Sequence, residues 1–167
     1  MANKDFMYGI GAARFNSKVI GYIEKGSFDW GGTKPETVDV EAEQVPDAPV
    51  LVLLQKNEQI APTFNLIQLN YENLQLALGG KLTGSSPNYT GWEAPTEAVS
   101  LTGKFELDLV SGQTVTITNA TMLANLGGKL TLSEVSKLEC QLKVMKPSDG
   151  TSPFKIGNTV GKTGASS

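Results

Sequence analysis

Histidine is absent from this 167-residue chain, and cysteine occurs once, at Cys140. The first absence removes histidine acid–base chemistry, histidine-containing nucleophile triads and most zinc or non-haem iron sites. The second rules out an intrachain disulfide, and with it a disulfide-stapled secreted scaffold. Cys140 lies in an alternating apolar pattern and reads as a buried structural thiol rather than a nucleophile. Long apolar runs are missing too. The longest aliphatic stretch, Val50–Leu54, is far short of a bilayer crossing. The first residues, MANKDFMYGIG, lack the apolar segment of a signal peptide, so a soluble protein made in a cytoplasm is expected. The sequons at Asn88 and Asn119 then read as chance. Positive charge is not in excess. A net charge of −3 argues against binding nucleic acid by phosphate neutralisation, though not against a surface that lets nucleic acid pass.

What is present points to one domain with a real core. The hydrophobic content of 40% is ordinary for a globular protein, and 18 glycines and 8 prolines spread along the chain imply many turns and short strands. The unit with most local information is TFNLIQLNYENLQLALGG, Thr63–Gly80. It reads as a strand apolar on both faces, Phe64 and Leu66 on one and Ile67 and Leu69 on the other, and hence covered on both. A short helix, Tyr71–Leu78, follows. Asn70 stands at its N-cap and Glu72 in its first turn, and Gly79-Gly80 gives its left-handed stop. Leu74, Ala77 and Leu78 lie at the spacing that docks the helix on a sheet.

Around this unit the pattern is mostly strand. Residues 1–17 read as an N-terminal arm loosened by Gly9 and Gly11, and Lys18–Glu24 as a strand. Residues 36–55 read as a hairpin with Pro46-Asp-Ala-Pro49 in its tip. Its first strand, Glu36–Val45, sets Val38, Val40 and Ala42 on one face and Asp39, Glu41 and Glu43 on the other. Lys81–Pro95 is the most loop-like stretch. Thr96–Val110, with Phe105, Leu107 and Leu109 inward, Gln113–Asn119 and Lys137–Met145 read as strands. Met122–Leu132 reads as a further strand, interrupted at Gly127-Gly128. The predicted fold is a β-sandwich or half-barrel with one short flanking α-helix, a single domain over 1–157 with a flexible tail over 158–167. LGGKLT occurs at 78–83 and again at 126–131, which marks either a duplicated strand–reversal–strand unit or a coincidence of two Gly-Gly reversals.

Motifs for chemistry are weak. Gly9-Ile-Gly11-Ala-Ala-Arg14 lacks the third glycine of a dinucleotide fingerprint and has no secure leading strand. Gly157–Thr163, GNTVGKT, fails phosphate-loop spacing because Ile156 stands where its first glycine is needed. Asp39, Glu41 and Glu43 recur about 7 Å apart along one strand face, parallel rather than convergent, so they make neither a catalytic pair nor a metal site. A solvated face or an acidic stripe lining a channel remains. Trp30, Tyr89 and Trp92 in glycine-rich loops allow a different class, a carbohydrate-binding β-sandwich, although such aromatics also cap sandwiches or anchor subunit contacts. No cofactor is expected.

Leu69–Gly80, LNYENLQLALGG, resembles the major tail tube proteins of long-tailed bacteriophages and prophages. The resemblance extends in order over most of residues 18–157: VIGYIE at 19–24, the hairpin at 36–55, strands at Lys104–Val110, Val115–Asn119 and Leu138–Met145, a PSDG turn, and FKIG at 154–157. It implies a structural virion protein with no enzymatic activity, found in the tail and, during assembly, in the host cytoplasm. Six subunits would form a ring, and rings would stack into a hollow tube. Partners would be other copies, the tape measure and tube-end proteins, with DNA only in transit and no membrane. The resemblance further implies that Val38, Val40 and Ala42 face the subunit core and that Asp39, Glu41 and Glu43 face the lumen. The tip Val45, Pro46, Asp47, Ala48 and Pro49 would reach a neighbour, and the residues before Lys18 and after Gly157 would order only on assembly. The tube of a contractile injection or type VI secretion machine shares this logic and is the nearest alternative.

Overall fold

The computed structural model describes residues 5–56 and 59–159. In chain order they form β1 (Ile10–Phe15), β2 (Lys18–Val19), β3 (Glu36–Val40), β4 (Leu51–Lys56), β5 (Thr63–Leu66), α1 (Tyr71–Leu78), β6 (Lys81–Ser85), β7 (Asn88–Glu93), β8 (Leu101–Leu109), β9 (Gln113–Gly127), β10 (Lys137–Val144) and β11 (Phe154–Asn158). The chain is mainly β, its sheets are antiparallel and it has one short helix, consistent with the expected β-sandwich class.

The body is a seven-stranded sheet in the order β2-β1-β8-β9-β10-β5. The 15-residue β9 is its common member. β8 follows one edge of β9, while β11 and β10 share the other, at residues 113–117 and 120–127. After β2 the chain crosses to the far edge and lies along β5, where Ile23 bridges Leu66 and Asp29 bridges Thr63. The two ends of the sheet are thereby tied together. Gly21 makes the crossing possible. Its φ is 86°, and a Cβ there would lie 2.7 Å from Asn73 Nδ2. The strand expected over Lys18–Glu24 therefore stops at Val19.

The core follows from period-two alternation. Phe105 and Leu107 of β8, Val115 and Ile117 of β9, and Leu138, Cys140 and Leu142 of β10 all point inward and are buried. Phe64 and Leu66 join them from β5, and Ala13 and Phe15 from β1. This corrects the expected N-terminal arm. Residues 10–15 are not held in reserve for assembly but pair with β8, with Phe15 opposite Phe105. The same correction applies at the other end, where β11 includes Asn158 and the Thr159 N–H donates to the Gly112 carbonyl at 2.9 Å. The rest of the expected tail lies outside the described residues. The two strands expected at 113–119 and 122–132 are one, because Asn119, Ala120 and Thr121 continue the extended register between β8 and β10.

The helix lies where its caps place it. The Asn70 side chain accepts from the Asn73 N–H at 2.8 Å, and the Gly79 N–H donates to the Gln75 carbonyl at 2.8 Å. Ala77 is buried, and Leu74, Leu76 and Leu78 pack half-buried against the core. Asn73 is buried as well, its amide donating to the Gln68 carbonyl at 2.9 Å. The stretch read as loop at 81–95 is the hairpin β6–β7. Its Trp92 indole N–H donates to the Gly79 carbonyl at 2.8 Å, which ties the hairpin to the helix end. Trp92→Phe keeps an aromatic ring but removes that bond and one ring of the indole, so a loss of at least about 1 kcal/mol is expected, read as a fall of about 2–4 °C or more in melting temperature. An unchanged melting temperature would show that the bond does not hold the hairpin.

The LGGKLT echo is not a duplicated unit. At 78–83 it ends a helix and starts β6, whereas at 126–131 it ends β9 and enters an open connection. Ile67 also departs from expectation. β5 ends at Leu66, and Ile67 is exposed rather than covered.

Candidate functional site

Two carboxylates of β8, Glu106 and Asp108, are tied up in a charge cluster on one face of the sheet. Arg14 projects from β1 toward Glu106 and Asp108 of β8, because facing positions in paired strands share a side of the sheet. Its guanidinium holds Asp108 in a fork, at 2.7 Å and 3.0 Å, and reaches Glu106 at 3.3 Å. Thr114 donates to Asp108 at 2.9 Å, and Lys104 pairs with Glu106 at 3.3 Å. The hydrogen bond to Asp108 is the main influence on Arg14 and holds its charged form more firmly, against the cost of partial desolvation. The cluster is neutralised from within and fastens β1 to β8. Among the described residues no group of three or more His, Cys, Asp or Glu is placed to hold a metal ion.

Cys140 is buried in the core, as its pattern predicts. Burial pushes its thiol up to about 12 from an ordinary value of 9.0. The thiolate is disfavoured in the fold, so this contribution to stability is complete below pH 9 and is lost as pH rises toward 12. Cys140 should resist an aromatic disulfide reagent at pH 8 until denaturant is added. Fast labelling of native protein would show that the core opens.

Of the aromatics named for sugar binding, Trp30 and Trp92 have other engagements. Trp30 packs edge-on against Phe28, ring centroids 5.5 Å apart, in a groove with Tyr8, Tyr22, Leu107 and Leu109. Tyr89 and Trp92 lie on β7 and do not line that groove.

The feature without a partner is the hairpin β3–β4. Its strands pair only with each other among the described residues, and every side chain of β3 is exposed. Between Val38 and Leu54 eight aliphatic side chains are 39–74% exposed. Val38 opposes Leu53 and Val40 opposes Leu51, so these four share one wholly apolar face. Val38 and Val40 are exposed and lie outside the subunit core that they are expected to face.

The acidic residues divide between strand and tip. Asp39 lies on the second face, opposite Val52, and Glu41 follows just beyond the strand end. The expected strand to Val45 is cut short at Val40, because a tight turn at Glu43-Gln44 closes on the Ala42–Val45 bridge. The Val45 N–H donates to the Ala42 carbonyl at 3.0 Å. Glu43 thus leaves the strand face and joins Val45, Pro46, Asp47, Ala48 and Pro49 in an exposed tip. The prolines at 46 and 49 withhold two backbone donors, so the ladder resumes only where the Val50 N–H meets the Val40 carbonyl at 2.8 Å.

A second exposed apolar group escaped the sequence reading. Leu130 and Leu132, expected in a strand, are 90% and 111% exposed in the connection from β9 to β10, with Val135 beside them in sequence. Leucines in a segment broken at Gly127-Gly128 and Ser133 were the available signal. No family model matches the chain, and no curated protein matches it.

Proposed function

We propose that this chain is a self-assembling structural subunit, the tail tube protein of a phage or prophage, acting as stacked hexameric rings through which DNA passes. The observation that carries the reading is the hairpin β3–β4, an apolar arm exposed on both faces and attached to a complete body. Monomeric proteins seldom leave so continuous an apolar surface open, and assembly would cover it. The order of elements that resembles tail tube proteins adds the ring and the tube. In this reading Val38, Val40, Leu51 and Leu53 pack on a neighbour, while Asp39 and Glu41 face the channel and repel phosphate. α1 braces the sheet from behind, and assembly rather than catalysis is the activity.

The tube of a contractile injection machine fits the same hairpin, and a tape-measure gene beside this one would favour the phage tail. Negative-stain microscopy of concentrated protein is the test. Rings or tubes of uniform width are expected. A strict monomer that binds a polysaccharide, with binding lost in Trp92→Ala, would overturn the proposal.

A further inference from the structure

The chain divides its charge unevenly. Between Glu36 and Lys56 lie five acidic residues, Glu36, Asp39, Glu41, Glu43 and Asp47, and one basic residue, Lys56. With a net charge of −3 overall, the arm carries −4 and the remainder of the chain +1. The arm is therefore both apolar and acidic, and its complement is an apolar surface edged with positive charge.

The body has such a place. Where β10 ends beside the start of β11, a cleft of about 400 Å³ is lined by Ile60, Val144, Met145 and Phe154, with Lys143 and Lys146 at its mouth. Both lysines are exposed and neither has an ion-pair partner among the described residues. No carboxylate lines the cleft. The nearest in sequence, Asp149, is turned to its own loop, accepting from the Thr151 N–H at 3.1 Å and the Thr151 hydroxyl at 2.7 Å.

We infer that this cleft receives the hairpin tip of a second copy of the chain, with Val45 and Pro46 on its floor and Glu43 and Asp47 against Lys143 and Lys146. This rests on the self-assembly reading and assigns its acceptor surface. Opposite charge on arm and body selects another copy over an unrelated partner. Because arm and cleft are different surfaces, the contact is heterologous, and its repetition closes a ring or extends a filament. Rim lysines pairing with tip carboxylates make the contact sensitive to salt.

Carbodiimide cross-linking of mixed light and heavy-isotope protein, under assembling conditions, reads the contact directly. The expected products join Lys143 or Lys146 of one copy to Glu43 or Asp47 of the other. Lys143→Glu with Lys146→Glu should raise the concentration needed for assembly at least tenfold, and Glu43→Lys with Asp47→Lys should restore it when combined. Melting temperatures check that the variants fold, and where one does not, the wild-type cross-links decide. Assembly of the double lysine variant at wild-type concentration, or cross-links mapping elsewhere, would overturn this contact and leave self-assembly standing. Wild-type protein that stays monomeric at every concentration would overturn both.

Discussion

Phe105→Ala should remove about 3–5 kcal/mol from the stability of the fold. Phe105 is 1% exposed, opposite Phe15 on β1 and opposite Ile117 on β9. Its ring stacks on Phe64 at 5.8 Å, Phe64 stacks on Phe28 at 6.3 Å, and Phe28 meets Trp30 edge-on. One side chain thus joins the centre of the sheet to the segment that ties its ends together. Alanine leaves a void that rigid strands on either side cannot close, so a cavity cost adds to the lost transfer energy. Against a typical total of about 5–15 kcal/mol, the loss is about a fifth or more of the whole. Urea denaturation reads it as a lowered midpoint at unchanged slope. A loss below about 1 kcal/mol would mean that these rings do not form one packed column.

Leu53→Asp should do the reverse, sparing the fold and stopping assembly. Leu53 is 48% exposed, lies opposite Val38 across the hairpin and is not part of the core cluster. Surface substitutions of this kind stay within about 0.5 kcal/mol, a shift of about 1–2 °C in melting temperature. In an assembled ring the same carboxylate would be forced against a neighbour. An interface anchor lost in this way costs about 2 kcal/mol or more, at least a 30-fold rise in the concentration needed to assemble. Sedimentation velocity across a concentration series measures it. Glu41→Lys is the companion control and should keep the fold. Unfolding caused by either substitution would place the hairpin inside the subunit rather than outside it.

The legible parts of the fold were those whose signals are local. Asn70 and Gly79 fix the helix because a cap is a contact within a few residues. β8 and β10 alternate large apolar and polar residues, so their inward faces read directly. β1 was missed because its inward positions include the small Ala13, and because Gly9 and Gly11 imitate a flexible arm. Gly11 is instead packed close to β8, where an added Cβ would lie 3.3 Å from the Asp108 carbonyl. The hairpin β6–β7 was missed because it is held from outside, by Trp92 on the end of the helix. The apolar face of the hairpin was legible in composition but not in direction. Alternation in β3 says that Val38 and Val40 share a face; it does not say whether that face meets the molecule's own core or another molecule.

The pairing of β1 with β8 also sets an order in time. Arg14 and Asp108 are 94 positions apart, so β1, paired early only with the two-residue β2, waits for its long partner β8 until most of the chain has been made. At roughly 5–20 residues per second that interval is on the order of 5–20 s of translation. The hairpin β3–β4 is local and closes within about 1–10 μs of leaving the ribosome. A growing chain therefore displays its sticky arm long before it owns a finished body, and the Lys143–Phe154 cleft is among the last parts to be made. In the proposed contact, donor and acceptor halves would mature at different moments, and completed neighbours would be the docking sites on offer.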